Sequence, residues 1–150
     1  MKVNYQEYQK SLSLTLDVSF ISDTTKETAH AITRSGKANQ GSLFLLALFI
    51  CKDLEIKCPE IVTYSGHVPH KRRENRLCAQ LFGWYKPAKL HLHVYKFTAV
   101  QKKERATKSV LNVFIHEMTH HIDNVKFGMP QSPHTKGFYR RMRQLENALK

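Results

Sequence analysis

With 150 residues the chain is sized for one domain that buries roughly two thirds of its unfolded surface, and a 41% hydrophobic content argues against a disordered chain. The longest apolar run, Leu43–Cys51, is far shorter than the roughly 20 residues a membrane span needs, and no basic-then-apolar secretory signal opens the chain. We expect an intracellular, soluble protein with no membrane partner. The net charge of +12 is lopsided, with seven basic and seven acidic residues in 1–60 but seventeen and five in 61–150. A field of that sign favours a polyanion, nucleic acid first. Cys51, Cys58 and Cys78 are odd in number and contain no CxxC pair, which excludes a disulfide framework and a zinc ribbon.

In chain order, Ser11–Phe20 alternates Leu12, Leu14, Leu16, Val18 and Phe20 with polar residues, the period of a half-buried strand. Thr24 and Glu27 have capping-box spacing ahead of a helix that stops at Gly36. Ser42 is the expected N-cap of a buried helix reaching Leu54. Glu60–Tyr64 reads as a short strand and His67–Arg76 as a basic loop. Leu77–Tyr85 and Ala88–Phe97 read as a hairpin turning at Lys86-Pro87. On its second strand Leu90, Leu92 and Val94 share one face and His91, His93, Tyr95 and Phe97 the other. Lys103–Phe127 then has helical period, with a stripe of Leu111, Ile115, Met118, Ile122 and Val125 ended by Gly128 and Pro130. Ser132-Pro133 is the expected start of a last helix carrying Phe138, Met142, Leu145 and Leu149. No GxSxG, P-loop or GxGxxG is present.

The chemistry concentrates in His116-Glu117-Met118-Thr119-His120. Two histidines four apart on a helix project from one face, within reach of a single Zn²⁺, and the Glu between them can act as base toward a water that the metal activates. A catalytic zinc usually takes three protein ligands. His134, at the expected start of the returning helix, is the best third, with Phe138 one turn on to pin that helix. A metzincin would need Gly and His where Asp123 and Lys126 stand, and a Glu-ligand site has only Glu146, near the end of the chain. Asp123, one turn past His120, could accept a bond from a ligand imidazole. Tyr139, Arg140 and His121 are each near enough in sequence to stabilise an oxyanion, and the sequence does not choose among them. His91 and His93 form a weaker rival chelating pair.

The runs HEMTHHID and SPHTKGFYRRM resemble the SprT-like metalloprotease family, which includes the Spartan-type DNA–protein crosslink proteases. Those proteins carry HExxH and then a third His followed four residues later by Phe, commonly as His-Gly-x-x-Phe. Here Thr135 replaces that Gly, and Gly137 precedes Phe138. The resemblance covers residues 60–145 and leaves 1–41 unmatched. It implies His116, His120 and His134 as zinc ligands, Glu117 as general base, and the strand near Leu90–Tyr95 beside the cleft, where an extended substrate could add as a strand. The family's frequent C-terminal zinc ribbon is missing from this sequence.

Three basic clusters, Lys71-Arg72-Arg73 with Arg76, Lys102-Lys103 with Arg105 and Lys108, and Arg140-Arg141 with Arg143, would form one phosphate-contacting rim around the cleft. Trp84, Tyr85 and Tyr95 could stack on bases of a single strand. The expectation is therefore a single α+β, zincin-like metallopeptidase domain over 1–150, with 1–41 as an unassigned extension. A small antiparallel sheet would pack on the HExxH helix and a C-terminal helix. Its function would be zinc-dependent endopeptidase cleavage of protein substrates associated with DNA, single-stranded or junction-like. Two alternatives stand beside it: a basic DNA-binding protein whose zinc site is structural or inactive, and a regulatory protease with one dedicated protein target.

Overall fold

The computed structural model describes residues 4–73 and 76–150, apart from the side chains of 70–73 and 76–80. Its first helix, α1 (Tyr5–Ser13), starts where the Asn4 side chain accepts from the backbone N–H groups of Gln6 and Glu7. The strand expected over Ser11–Phe20 does not form. Ser11–Ser13 close α1, Leu14 is extended, and residues 14–18 form no strand. Their alternation is nonetheless real: Leu16 is buried between exposed Thr15 and Asp17. Side chains of the last helix take the hydrogen bonds a neighbouring strand would have taken, as where Leu16 N donates to Gln144.

Helix α2 (Asp23–Ser35) is capped by Ser22, two residues before the expected cap, and stops at Gly36 in the left-handed region. Helix α3 (Gln40–Leu54) is capped by Asn39, and Ser42 is the third helical residue that caps back onto Asn39. That reciprocal pair satisfies two backbone donors that would otherwise be orphaned, which moves the start three residues upstream of the expected one.

The strands β1 (Ile61–Tyr64), β2 (His70–Arg73), β3 (Arg76–Gln80), β4 (Gly83–Lys86) and β5 (His91–Val94) form two groups. The expected antiparallel sheet is a mixed one, of order β1-β5-β4, in which β5 pairs parallel to β1 and antiparallel to β4. The chain detours between β1 and β5 through a separate β2–β3 ribbon, and a detour of that length permits the parallel return. The ribbon replaces much of the loop expected over His67–Arg76, and Leu77–Tyr85 is divided between β3 and β4. The β4–β5 hairpin forms as expected, through a 3₁₀ turn at Pro87–Lys89. Because β5 is paired on both sides, it has no free edge. The sheet edge beside the HExxH helix belongs to β4.

Helix α4 (Thr107–Phe127) carries the HExxH run and ends at Gly128, φ 66°. It starts four residues later than expected. Helix α5 (Lys136–Ala148) is capped by Thr135, so Ser132-Pro133 does not open it. Ser132 instead occupies the turn between the two helices at φ 38°. One continuous core draws on every layer: Leu43, Leu46 and Ile50 from α3, Leu92 and Val94 from β5, Phe114, Met118 and Ile122 from α4, and Leu145 from α5 are all fully buried. Each such side chain is worth about 1.5–3 kcal/mol of burial. Leu16, Ile21, Ala29 and Ile32 belong to the same core, so residues 4–41 are an integral part of the fold and not an appended extension. Among the described residues no helix is long and apolar enough to cross a membrane.

Candidate metal centre

Helix α4 sets His116 and His120 one turn apart, and the tight turn at 128–135 brings His134 back over them. The Nε2 of His134 lies 3.2 Å from that of His116 and 2.9 Å from that of His120. Nitrogens held tetrahedrally by one zinc at 2.0–2.1 Å would be roughly 3.3 Å apart. Among the described residues this trio is the one group of His, Cys, Asp or Glu with ligand atoms close enough to hold a metal ion, all within 4.8 Å of one another. Phe138 packs against all three rings at centroid distances of 4.5–5.0 Å, in line with the pinning role expected for it.

A polar chain orients His120. His120 Nδ1 lies 2.8 Å from Ser132 Oγ, which donates to Asp123 at 2.8 Å. Since the Ser132 hydroxyl hydrogen goes to Asp123, the His120 Nδ1–H must be the donor to Ser132. The lone pair of His120 Nε2 is then left facing the other two imidazoles. Asp123 therefore reaches His120 only through Ser132, and the expected direct bond to an imidazole is not made. Two nitrogens of Arg141 grip its carboxylate at 2.9 Å each, and both residues are fully buried. Burial pushes the Asp123 carboxyl upward, while the Arg141 and Ser132 hydrogen bonds pull it back down.

Helix α1 completes this support. Arg141 also donates to the carbonyls of Ser11 and Leu14 and to Ser11 Oγ, and Ser11 Oγ meets Thr135 Oγ1 at 2.8 Å. Asn4 N donates to Gln131, Gln131 N donates to Glu7, and Lys10 Nζ donates to the Phe127 carbonyl. The turn bearing His134 is thus clasped from outside. At Gly137 any Cβ would stand 1.8 Å from the Ser11 carbonyl oxygen, so only glycine allows α1 to approach this closely.

Glu117 is 6% exposed, and burial raises its carboxyl to about 8. Burial likewise lowers His116 to about 4, His120 to about 3, and His134 below its ordinary value. All three imidazoles are therefore neutral at pH 7, the state a metal requires. His116 and Glu117 open onto a cleft of about 370 Å³ lined by Leu81, Phe82, Gly83, Asn112, Val113 and Met142. At Gly83 a Cβ would lie 2.7 Å from Val113 Cγ1 and 3.5 Å from Glu117 Cγ. The missing side chain lets the β4 edge come down onto the HExxH helix. This corrects the implied placement of Leu90–Tyr95 beside the cleft.

Of the three oxyanion candidates, the structure leaves one near the imidazoles. The Tyr139 ring is partly exposed, 5.9 Å from the His134 ring and 6.4 Å from the His116 ring. Arg140 is tied to the carbonyls of Leu12 and Leu14. His121 is fully buried, with its ring nitrogens engaged by Tyr85 OH and the Lys57 carbonyl. The rival pair His91 and His93 share Thr63 Oγ1 at 2.8 and 2.6 Å and stand outside the metal group.

The basic rim is also only partly present. Lys102, Lys103, Lys108 and Arg143 are exposed, but Arg140 and Arg141 point inward, and Arg105 donates to the Phe82 and Tyr95 carbonyls. The side chains of Lys71, Arg72, Arg73 and Arg76 lie outside the described residues. Trp84 stacks on His93 and donates to Tyr95 OH, and Tyr85 OH is held between His121 and Asn124. These aromatics are largely occupied within the fold.

The sequence assigned none of Ser132, Arg141, Gly137 and Gly83 to the support of the site, Ser132 being expected to open the last helix and Arg141 to lie in a basic rim. Arg141 carried a readable signal. It sits three residues after Phe138 and four before Leu145, inside the buried stripe, where a charge demands a partner. The others depend on contacts distant in sequence. No protein-family model, no curated protein and no solved structure matches the chain.

Proposed function

We propose that this protein is a zinc-dependent endopeptidase of the SprT-like type, acting on protein substrates associated with DNA. The observation that carries the reading is the convergence of the His116, His120 and His134 nitrogens, with His116 and the buried Glu117 lining one cleft. A purely structural zinc site is closed and has no use for a base at that position. Bound zinc would supply Lewis acidity to polarise a peptide carbonyl and to lower the pKa of a water.

The chain's own residues supply the rest. His116, His120 and His134 would hold the zinc through three imidazole nitrogens, the number a catalytic site usually draws from the protein. Glu117, whose charged form a bound dication would favour, would take the proton of the attacking water and pass it to the leaving amine. Tyr139 is the side chain best placed to stabilise developing negative charge. An extended substrate can lie along the β4 edge at Gly83. The DNA association rests on the excess charge of residues 61–150, displayed at Lys102, Lys103, Lys108 and Arg143.

The test is cleavage of casein by zinc-loaded protein beside Glu117→Gln, with and without single-stranded DNA. Cleavage is expected in the wild type and lost in Glu117→Gln, which should keep its zinc, and DNA should raise the rate. A Glu117→Gln protein that still cleaves would remove the base assignment. Cleavage indifferent to DNA would leave the peptidase and remove the DNA partner.

A further inference from the structure

We propose that the cleft at Glu117 is the mouth of an apolar trench that selects polypeptide segments with bulky apolar side chains close to the scissile bond. This rests on the peptidase reading above and adds a substrate class to it. The cleft walls away from His116 and Glu117 are Leu81, Phe82, Val113 and Met142, with Asn112 at the margin. Asn112 and Met142 also line a second cavity of about 220 Å³, completed by Ile115 and Glu146. Asn112, Ile115 and Glu146 in turn line a third, of about 570 Å³, walled by Leu46, Leu111 and Leu149. The three cavities therefore share walls and follow one another along α4, first against α5 and then against α2, with a waist at Asn112 and Met142.

The length suits a peptide. From Glu117 back to Lys108, α4 rises about 14 Å at 1.5 Å per residue, the span of about four extended residues. Past Glu117 the first charge met is Glu146, which lines the second and third cavities, and His30, Arg34, Lys108 and Lys150 follow in the third, where Arg34 is already paired with Glu27. The stretch next to the reacting centre, walled by Leu81, Phe82, Val113 and Met142, is therefore the apolar part of the path, and the charged side chains lie farther along it. An occupant gains by burying apolar side chains there and loses by burying a charge. The matching substrate is an exposed hydrophobic stretch of polypeptide, of the kind an intact folded surface withholds.

Two readouts test this. The first is the rate at which the zinc-loaded protein cuts decapeptides with a central Leu-Phe pair, against the same peptides with Ser-Asp there. The second is binding of the same peptides, fluorescein-labelled, to zinc-loaded Glu117→Gln, measured by anisotropy. Apolar peptides should win by about tenfold or more in both. Asn112→Trp, at an exposed position on the waist, should erase most of that margin through KM while leaving zinc affinity unchanged. Equal cutting or equal binding of the two peptides, or an Asn112→Trp protein that keeps the full margin, would overturn the trench. If the wild type cuts nothing but Glu117→Gln still binds apolar peptides preferentially, and Asn112→Trp added to it abolishes that preference, the peptidase reading fails and the trench stands as a peptide-binding groove.

Discussion

Arg140 and Arg141 on α5 and Lys102 and Lys103 ahead of α4 come from the same strongly basic part of the chain, yet the fold uses them in opposite ways. The arginines are drawn inward, onto the carbonyl end of α1 and, for Arg141, onto Asp123. The lysines remain exposed. The difference follows from side-chain chemistry and place. A guanidinium offers a planar fork of donors that can satisfy a carboxylate and several carbonyls at once, whereas an ammonium is more strongly hydrated and stays in water. A count of charges therefore overstates the outward field, and part of it is spent in building the metal centre.

The sharpest way to break this contrast is Arg141→Met. It leaves Asp123 buried without its partner, which should cost about 3–5 kcal/mol and lower the melting temperature by on the order of 10 °C. Adding Asp123→Leu should recover much of that stability in a thermal melt. Zinc affinity should stay low, because Ser132 then has no acceptor to orient it. Recovery of both properties together would show that the buried pair does not orient the ligand.

Ser132→Ala tests the link to the metal alone. Zinc affinity, read by competition with a chromophoric chelator, should fall about 10- to 100-fold. An unchanged affinity would sever Asp123 from the metal centre.

The pH dependence of the metal-free protein separates the buried groups from the exposed ones. His116 and His120 are held near 4 and 3 by burial but take protons near 6.5 when unfolded. Their contribution to stability is complete above that value and is lost as pH falls toward 4 and 3. Glu117, raised to about 8 by burial, has the opposite sign. Its contribution is complete below about 4.5 and is lost as pH rises toward 8. Thermal melts across pH 4–9 should fall at both ends, and Glu117→Gln should flatten the alkaline side alone. An alkaline limb that persists in the variant would place its cause elsewhere.

The smallest effects belong to the exposed lysines. Lys102→Ala with Lys103→Ala should leave stability within about 0.5 kcal/mol and reduce the salt dependence of single-stranded DNA binding by about 0.7 per lysine. Arg105→Ala should instead destabilise the protein, since its side chain holds the Phe82 and Tyr95 carbonyls beside the cleft. Equal behaviour of Arg105 and the lysines in both assays would erase the distinction between inward and outward charge.

Much of this molecule is local and therefore legible. The helical period over α4 and its stop at Gly128, the β4–β5 hairpin, the single face shared by His116 and His120, and the return of His134 all follow from spacing and from short turns. The exact helix starts were less legible, because Ser22, Asn39 and Thr135 won their capping positions by contacts that neighbouring Ser and Thr residues could equally have offered. Tertiary structure alone decided the parallel pairing of β1 with β5, since a strand's partner and edge depend on where the chain returns and not on its own alternation. It also decided that Leu12–Val18 lies along α5 as a helix end and a segment that forms no strand, because side chains of α5, Arg140, Arg141 and Gln144, took the backbone groups a neighbouring strand would have used. The three histidines that come close enough to hold a metal ion sit within nineteen consecutive residues, from His116 to His134, and their grouping could be read from the sequence. The clasp around them joins Ser11 to Thr135 and Arg141 across more than 120 positions, where no local pattern reaches and only burial of a charge among carbonyls makes the contact necessary.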